Sequence, residues 1–383
     1  MRTAVALGGG HGLHATLSAL RRLTDDVTAV VTVADDGGSS GRLRRELGLL
    51  PPGDLRMALA ALAADDESGR RWGALVQHRF GGTGALAGHA VGNLLLAGLM
   101  EVLGDPVAAL DEVAALLGLR GRVLPMSRDP LDIEAEVTGL GSNGALIRGQ
   151  VAVASTPGRV QRVWLRPDRP RACTEALDAV KAADVLLLGP GSWFTSVIPH
   201  LLVPELREAL ITSPARRIVV LNLAPEPGET AGFSPEQHLA VLSQHAPELR
   251  VDAVIADVAA VPVPERLHRT AAAMLVPGGR VHLAPVAAAD PAVPRHDPAA
   301  LADALGVVLA ELDSTELDST GLDSTGLVNA ELDNAGLDST GLENTGLDGT
   351  GPETHTGPDA HAGSAPHGPA PGGQETRRSN PWR

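Results

Sequence analysis

The chain has 383 residues and a formal charge of −15, with 44% hydrophobic residues, 2% aromatic residues, no tyrosine and a single cysteine, Cys173. Its length and apolar content suffice for one large domain or two medium ones, the lone cysteine excludes an internal disulfide or a cysteine-based zinc site, and the scarcity of aromatics leaves no stacking platform for single-stranded nucleic acid. Residues 311–383 hold 13 acidic residues against three arginines, which leaves −5 for the remainder, and every cation except Lys181 and the histidines is an arginine, suited to bidentate phosphate contacts.

In chain order, the apolar run Ala4 to Leu7 breaks into Gly8-Gly9-Gly10-His11-Gly12 and then into helical spacing with Leu13, Leu17 and Leu20 on one face. This predicts a strand, a glycine turn and a helix whose free N–H groups and positive dipole end favour an anion, with glycine permitting close approach of a diphosphate. Gly8 and Gly10 match the first two glycines of the dinucleotide-binding fingerprint, while the third falls at Leu13, so the match is partial. A second strand over 27–33 ends in Asp35-Asp36, at about the distance where such folds place a ribose-binding carboxylate; an ordinary tight turn with a solvated acidic loop is the structural alternative.

Gly37-Gly38-Ser39-Ser40-Gly41-Arg42 reads as a loop whose amides and hydroxyls could wrap a second anionic or sugar group. Pro51-Pro52-Gly53-Asp54 leads into a predicted helix over 55–64, with two readings of Asp54: a helix cap, or, with Asp36, a ligand to a hard divalent cation bridging phosphates. The glycines between Phe80 and Asn93 predict a ligand-approaching loop before a helix over 94–103, with His89 and Asn93 on one helical face, as ligand contacts or as satisfied helix-start residues. Asp105-Pro106 signals the next helix start, and short alternating runs over 122–165, including Gln150 to Val153, predict a β-rich insertion.

The α/β pattern resumes with a strand over 184–188 running into Gly189-Pro190-Gly191-Ser192, a second glycine loop at a strand end, as a ligand spanning a crevice would need. Ser192 lacks a nucleophile elbow and reads as a hydrogen-bonding hydroxyl. A strand over 217–222, the Gly228-Glu229-Thr230 turn, a helix after Ser234-Pro235, a last strand around Val254-Ile255 and a helix over 298–309 complete the folded part, residues 1–310. From Leu312 to Leu347 leucine recurs every five residues, and the Pro, Gly, His and Ala content that follows predicts a disordered, low-complexity tail over 311–383, whose removal should leave stability unchanged. No secretory leader and no apolar run of membrane length is found, so cytoplasmic location without membrane insertion is expected.

Gly8-Gly9-Gly10-x-Gly12, the run Val31 to Arg42, Pro51-Pro52-Gly53-Asp54, Gly88-His89-x-x-Gly92-Asn93 and Gly189-Pro190-Gly191-Ser192 together resemble the YvcK-like gluconeogenesis factors of the CofD superfamily, in matching order over residues 2–309. The resemblance implies a Rossmann-like three-layer α/β/α core in a bacterial cytoplasmic protein. It implies binding of UDP-sugars such as UDP-N-acetylglucosamine, an influence on carbon flux to the cell wall and on cell shape, and a cell-wall or carbon-metabolism enzyme, or a second copy, as partner. The related CofD transferases move 2-phospho-L-lactate from a guanosine-diphosphate donor with Mg2+, and Asp36 and Asp54 fall where their metal carboxylates are expected. Arg295-His296-Asp297 resembles a late family element whose arginine contributes to sugar-nucleotide binding. His11 stands where the family usually has threonine, Ala231 and Phe233 where it has aspartate and tyrosine, and Pro298 where some members carry a phosphorylatable threonine. Three readings result: a UDP-sugar-binding regulator without turnover, a CofD-like transferase, and an NAD-dependent dehydrogenase, the last resting only on the first strand and turn and lacking an identifiable hydride-transfer acid or base.

Overall fold

A computed structural model describes residues 2–140, 144–290 and 294–314. The five-residue repeats beyond 314 and the expectation of a disordered tail lie outside the described residues.

The chain opens with β1 (Ala4–Gly8), α1 (Gly10–Leu20) and β2 (Val27–Val31). Leu13, Leu17 and Leu20 are buried as their spacing predicts, each burial contributing roughly 2 kcal/mol. Four helices follow β2: α2 (Gly38–Leu47), α3 (Pro52–Leu62), α4 (Glu67–Gln77) and α5 (Val91–Leu103). Then come α6 (Pro106–Leu116), capped as expected by the Asp105 carboxylate accepting from the Val107 N–H, and β3 (Arg122–Pro125). A hairpin of β4 (Asp132–Thr138) and β5 (Ala145–Arg148), the short α7 (Gln150–Ala154) and β6 (Arg159–Arg166) form a separate antiparallel sheet in the order β5-β4-β6. The chain returns through α8 (Thr174–Ala182) to β7 (Val185–Leu188), a single π-helical turn (Trp193–Val197), α9 (Pro199–Leu202), α10 (Pro204–Thr212) and β8 (Arg216–Val220). It ends with α11 (Pro235–His245), β9 (Val251–Asp257), α12 (Pro264–Ala271), β10 (Leu275–Ala284) and α13, residues 298–314.

The main sheet is seven-stranded in the order β10-β9-β8-β7-β1-β2-β3, and every neighbouring pair is parallel. All residues of β1, β2, β7 and β9 are buried, which requires cover on both faces, as the expected three-layer α/β arrangement provides. From β1 the chain winds outward through β2 to β3, then crosses back to β7 and winds the other way, so the strand order reverses between β1 and β7. In open α/β sheets a ligand crevice forms at that reversal, outside the strands' carboxyl ends.

Several expectations need correction. The β-rich insertion is smaller than 122–165, because residues 122–125 form β3 at the edge of the main sheet. Gln150 to Val153 is helical: the Asp36 carboxylate accepts from the Val151 N–H in the first turn, and that contact outweighs the alternating pattern. The segment expected as a loop over 37–42 starts α2 at Gly38. Asp54 does not cap a helix, because α3 begins earlier, at Pro52, and places it in the first turn. The strand β10 lay unrecognised, its pattern interrupted by Pro277-Gly278-Gly279, where its register against β9 shifts.

The expected boundary at 310 falls inside α13. Leu312 is buried, Glu311 pairs with Arg280 and Asp313 with Arg2. A chain ended after Ala310 is therefore expected to melt below one ended after Ser314. Loss of Leu312 burial sets the difference at about 2 kcal/mol, roughly 2–4 °C, since the exposed ion pairs add little. Equal melting temperatures would show that the last turn of α13 contributes nothing.

Among the described residues no helix is long and apolar enough to cross a membrane.

Candidate functional site: a cationic cleft where the strand order reverses

The turns after β1 and β7 touch. The Gly189 N–H points to the Leu7 carbonyl at 3.4 Å, the Thr16 hydroxyl donates to the Gly189 carbonyl at 3.2 Å, and a Cβ placed on Gly12 would stand 2.2 Å from the Pro190 carbonyl oxygen. Asn222, just beyond β8, fixes the second turn by accepting from the Gly191 N–H and donating to its carbonyl, both at 2.9 Å. Over this junction opens a cleft of about 750 Å3, large enough for a nucleotide-sized ligand.

The cleft wall is rich in arginine and histidine. His11 and His14, one turn apart on α1, Arg56 from α3, Arg79 after α4, and Arg295 and His296 before α13 all line it. Burial and then the Arg79 charge bring the Arg56 guanidinium down to about 10. His11 is held below the usual histidine range by burial and then by Arg295 and Arg56, and His14 by burial and then by His11. Burial lowers His296 to about 4, and its buried Nε2 has no hydrogen-bond partner among the described residues. Guanidinium groups that repel one another around a void are relieved by a polyanion, which also favours protonation of the histidines beside them.

The predicted site residues divide into groups. His11, Gly12, Pro190, Gly191 and Arg295 line the cleft. Gly8, Gly9 and Gly10 form the turn beside it, and Gly9 has no room for a side chain: a Cβ there would meet Asp54 Oδ2 at 2.5 Å and Thr32 Cγ2 at 2.6 Å. Gly189 supports the second turn, and Ser192 donates to Glu226 Oε2 at 2.6 Å, a hydrogen-bonding hydroxyl as expected.

Ser39, His89 and Asn93 do not reach the wall. They form a buried relay in which Ser39 Oγ lies 2.9 Å from His89 Nδ1, Asn93 Nδ2 donates to Ser39 at 3.0 Å, and Asn93 Oδ1 accepts from Arg56 Nε at 2.9 Å. The relay ends on Arg56, which Asn93 touches directly. His89 precedes α5 rather than sharing its face with Asn93. Arg42 donates to the Ala87 carbonyl and holds the glycine-rich 81–88 loop, while Gly37 donates its N–H to Asp35 Oδ1, Gly38 begins α2, and Ser40 lies against Asp35.

The acidic pair that the structure brings together is Asp35 and Asp54, in place of Asp36 and Asp54. Asp36 is spent on the Val151 N–H, whereas Asp54 accepts from the Gly10 N–H and is raised to about 7 by burial and then by the Asp35 charge. Burial also raises Asp35. Among the described residues no group of three or more His, Cys, Asp or Glu could hold a metal ion alone. Two desolvated, mutually repelling carboxylates do fit a hard divalent cation that takes its remaining ligands from phosphate and water.

Sequence reasoning missed Arg56, Arg79, Gln77, His14 and Glu226 on the wall. Arg56 carried a usable signal, one charge inside Leu55-Arg56-Met57-Ala58-Leu59, where a buried arginine demands a partner. Arg79 and Glu226 sit in irregular segments without such a signal.

Residues 4–278 match the family model described as 2-phospho-L-lactate transferase CofD. A Mycobacterium tuberculosis (strain H37Rv) protein named "Putative gluconeogenesis factor" is 62% identical over 312 residues, which cover 80% of this chain and 90% of that protein. The Gluconeogenesis factor of Bacillus subtilis (strain 168) is 40% identical over 238 residues, 62% of this chain and 73% of its own. A crystal structure of a UPF0052-family protein from Bacillus halodurans matches with a TM-score of 0.70 at 34% identity, covering 79% of this chain and 99% of that one. The chain belongs to the CofD family, among its YvcK-like gluconeogenesis factors.

Proposed function

We propose that this protein binds a nucleotide diphosphate sugar, UDP-N-acetylglucosamine or UDP-glucose, in the cleft between the β1 and β7 turns, and acts as a cytoplasmic regulator of carbon flux toward the cell wall. The observation that carries the reading is the convergence of Arg56, Arg79 and Arg295 on a cleft built against the N-terminal turn of α1. Guanidinium forks and backbone N–H groups are the pair of donors a diphosphate needs, and a cleft of about 750 Å3 is of the size a nucleotide sugar requires. A cell-wall or carbon-metabolism enzyme, or a second copy of the chain, is the partner through which such a sensor would act.

Asp35 and Asp54 are the residues that would hold a Mg2+ ion, which would neutralise phosphate charge. Asp54 then needs to be ionised, and its proton leaves as the cation arrives. The same pair favours the second reading, a CofD-like transferase, since a raised carboxyl beside a phosphate site suits proton transfer at neutral pH. The dehydrogenase reading gains nothing from the cleft, whose wall is arranged for anions.

Calorimetry with UDP-N-acetylglucosamine is the test. Arg295→Ala is expected to weaken binding about tenfold, the usual contribution of one charge-assisted contact. Binding of GDP or NAD without binding of uridine nucleotides would overturn the assignment, and release of a phospholactyl group to a deazaflavin acceptor would select the transferase.

A further inference from the structure

The cationic cleft contains one residue of opposite sign. Among its lining residues Glu226 is the sole carboxylate. Its position is fixed from two sides: its N–H donates to Thr230 Oγ1 at 2.8 Å, and its Oε2 accepts from Ser192 Oγ at 2.6 Å. Oε1 has no hydrogen bond among the described residues. Asn222 and Gln77 are the uncharged amides on this wall, and both bonds given for the Asn222 side chain go to Gly191. Glu226 is thus the one carboxyl acceptor among the lining residues, half-buried and oriented by Ser192.

A phosphate oxygen is repelled there, while a hydroxyl or an imide N–H is attracted, and a carboxylate with one oxygen tethered offers the other at a defined angle. We propose that Glu226 accepts a hydrogen bond from a hydroxyl or base N–H of the nucleotide sugar and so sets which way the ligand lies, with its diphosphate on the arginines and its donor group on the β8 side. This inference rests on the nucleotide-sugar reading of the cleft. It makes Glu226 a specificity residue, and Ser192 the positioning residue that holds it.

The experiment measures affinities of the full chain, Glu226→Ala and Glu226→Gln for UDP-N-acetylglucosamine, UDP and inorganic pyrophosphate. Glu226→Ala is expected to weaken the nucleotide sugar by about tenfold or more, the scale of a charged hydrogen bond, and to leave pyrophosphate within about twofold. Glu226→Gln retains an acceptor oxygen without the charge and is expected to recover part of the loss. A parallel loss for UDP places the donor on uridine, and a loss confined to the sugar nucleotide places it on the hexose; both support the inference. Unchanged affinity in Glu226→Ala, an equal loss for pyrophosphate, or no recovery in Glu226→Gln overturns it. Should the alanine variant fold poorly, Glu226→Asp, which withdraws the carboxylate by one methylene, carries the same comparison. A wild-type chain that binds pyrophosphate but no nucleotide or nucleotide sugar would sink the functional reading itself, a result distinct from any of these.

Discussion

Gly12→Ala is expected to abolish nucleotide-sugar binding, with an affinity loss of more than about 100-fold, while far-UV circular dichroism still reports the α/β fold. The added Cβ would meet the Pro190 carbonyl oxygen at 2.2 Å, its carbon at 2.6 Å and Gly191 Cα at 2.7 Å. All three are backbone atoms of a turn held by Asn222, so no flexible side chain can move aside. Relief requires the β1 and β7 turns to part, and overpacking of this kind costs about 1–3 kcal/mol of stability. The cost to binding is larger, because a ligand spanning the two turns depends on their spacing to within a fraction of an ångström. Gly10→Ala is the control. Gly10 has φ +57° and nothing nearer its Cβ position than Asp54 Oδ1 at 4.0 Å, so alanine there carries only left-handed backbone strain of about 1–2 kcal/mol and leaves the turns in contact. Titrations of both variants, each with its melting temperature, check the argument. A Gly12→Ala chain binding within about threefold of wild type would show that the two turns do not share one ligand.

The contact between these turns also marks how far the sequence could be read. The two apolar runs ending in glycine are visible as strands entering helices, and strands buried on both faces leave continuous apolar runs, so β1, β2 and β7 were legible together with the α/β class. What a linear pattern does not carry is strand order. That β7 returns to lie beside β1, bringing Gly12 against Pro190 from residues nearly 180 apart, follows from the crossover and not from any local signal. The same limit explains the acids. Asp35 and Asp36 are equivalent in sequence, and α7, more than a hundred residues later, decides that Asp36 turns to the Val151 N–H while Asp35 faces Asp54. His89 and Asn93 were recognisable as polar residues before an apolar helix. Their engagement by Ser39 and Arg56 makes them supports of a cleft residue, a distinction that only the tertiary contacts supply.

Lowering the pH from 8 to 6 in the absence of divalent cations is expected to tighten UDP-N-acetylglucosamine binding about tenfold, with uptake of roughly one proton. The ligand's diphosphate is a diester and does not titrate in this range, so the protons must come onto the protein. In the free chain His11 lies below the usual histidine value because burial and then Arg295 and Arg56 disfavour its charge, and burial followed by His11 does the same to His14. A bound diphosphate offsets the arginines and adds an attracting charge, which raises both histidines in the complex. The complex then holds more protons than the free protein, and affinity climbs as the pH falls from the bound-state value to the lowered free-state value, below which it levels. Asp54 contributes with the same sign at higher pH. Free, it titrates at about 7; an anion at the neighbouring N–H groups raises it further, so affinity declines as the pH climbs above about 7. Mg2+ reverses only this upper limb, since a cation needs the carboxylate ionised and expels its proton. His11→Asn should therefore flatten the dependence below neutrality and Asp54→Asn the dependence above it. Calorimetry in two buffers of different protonation enthalpy measures the uptake directly, and proton release on metal-free binding would mean that the diphosphate does not lie against His11 and the α1 turn.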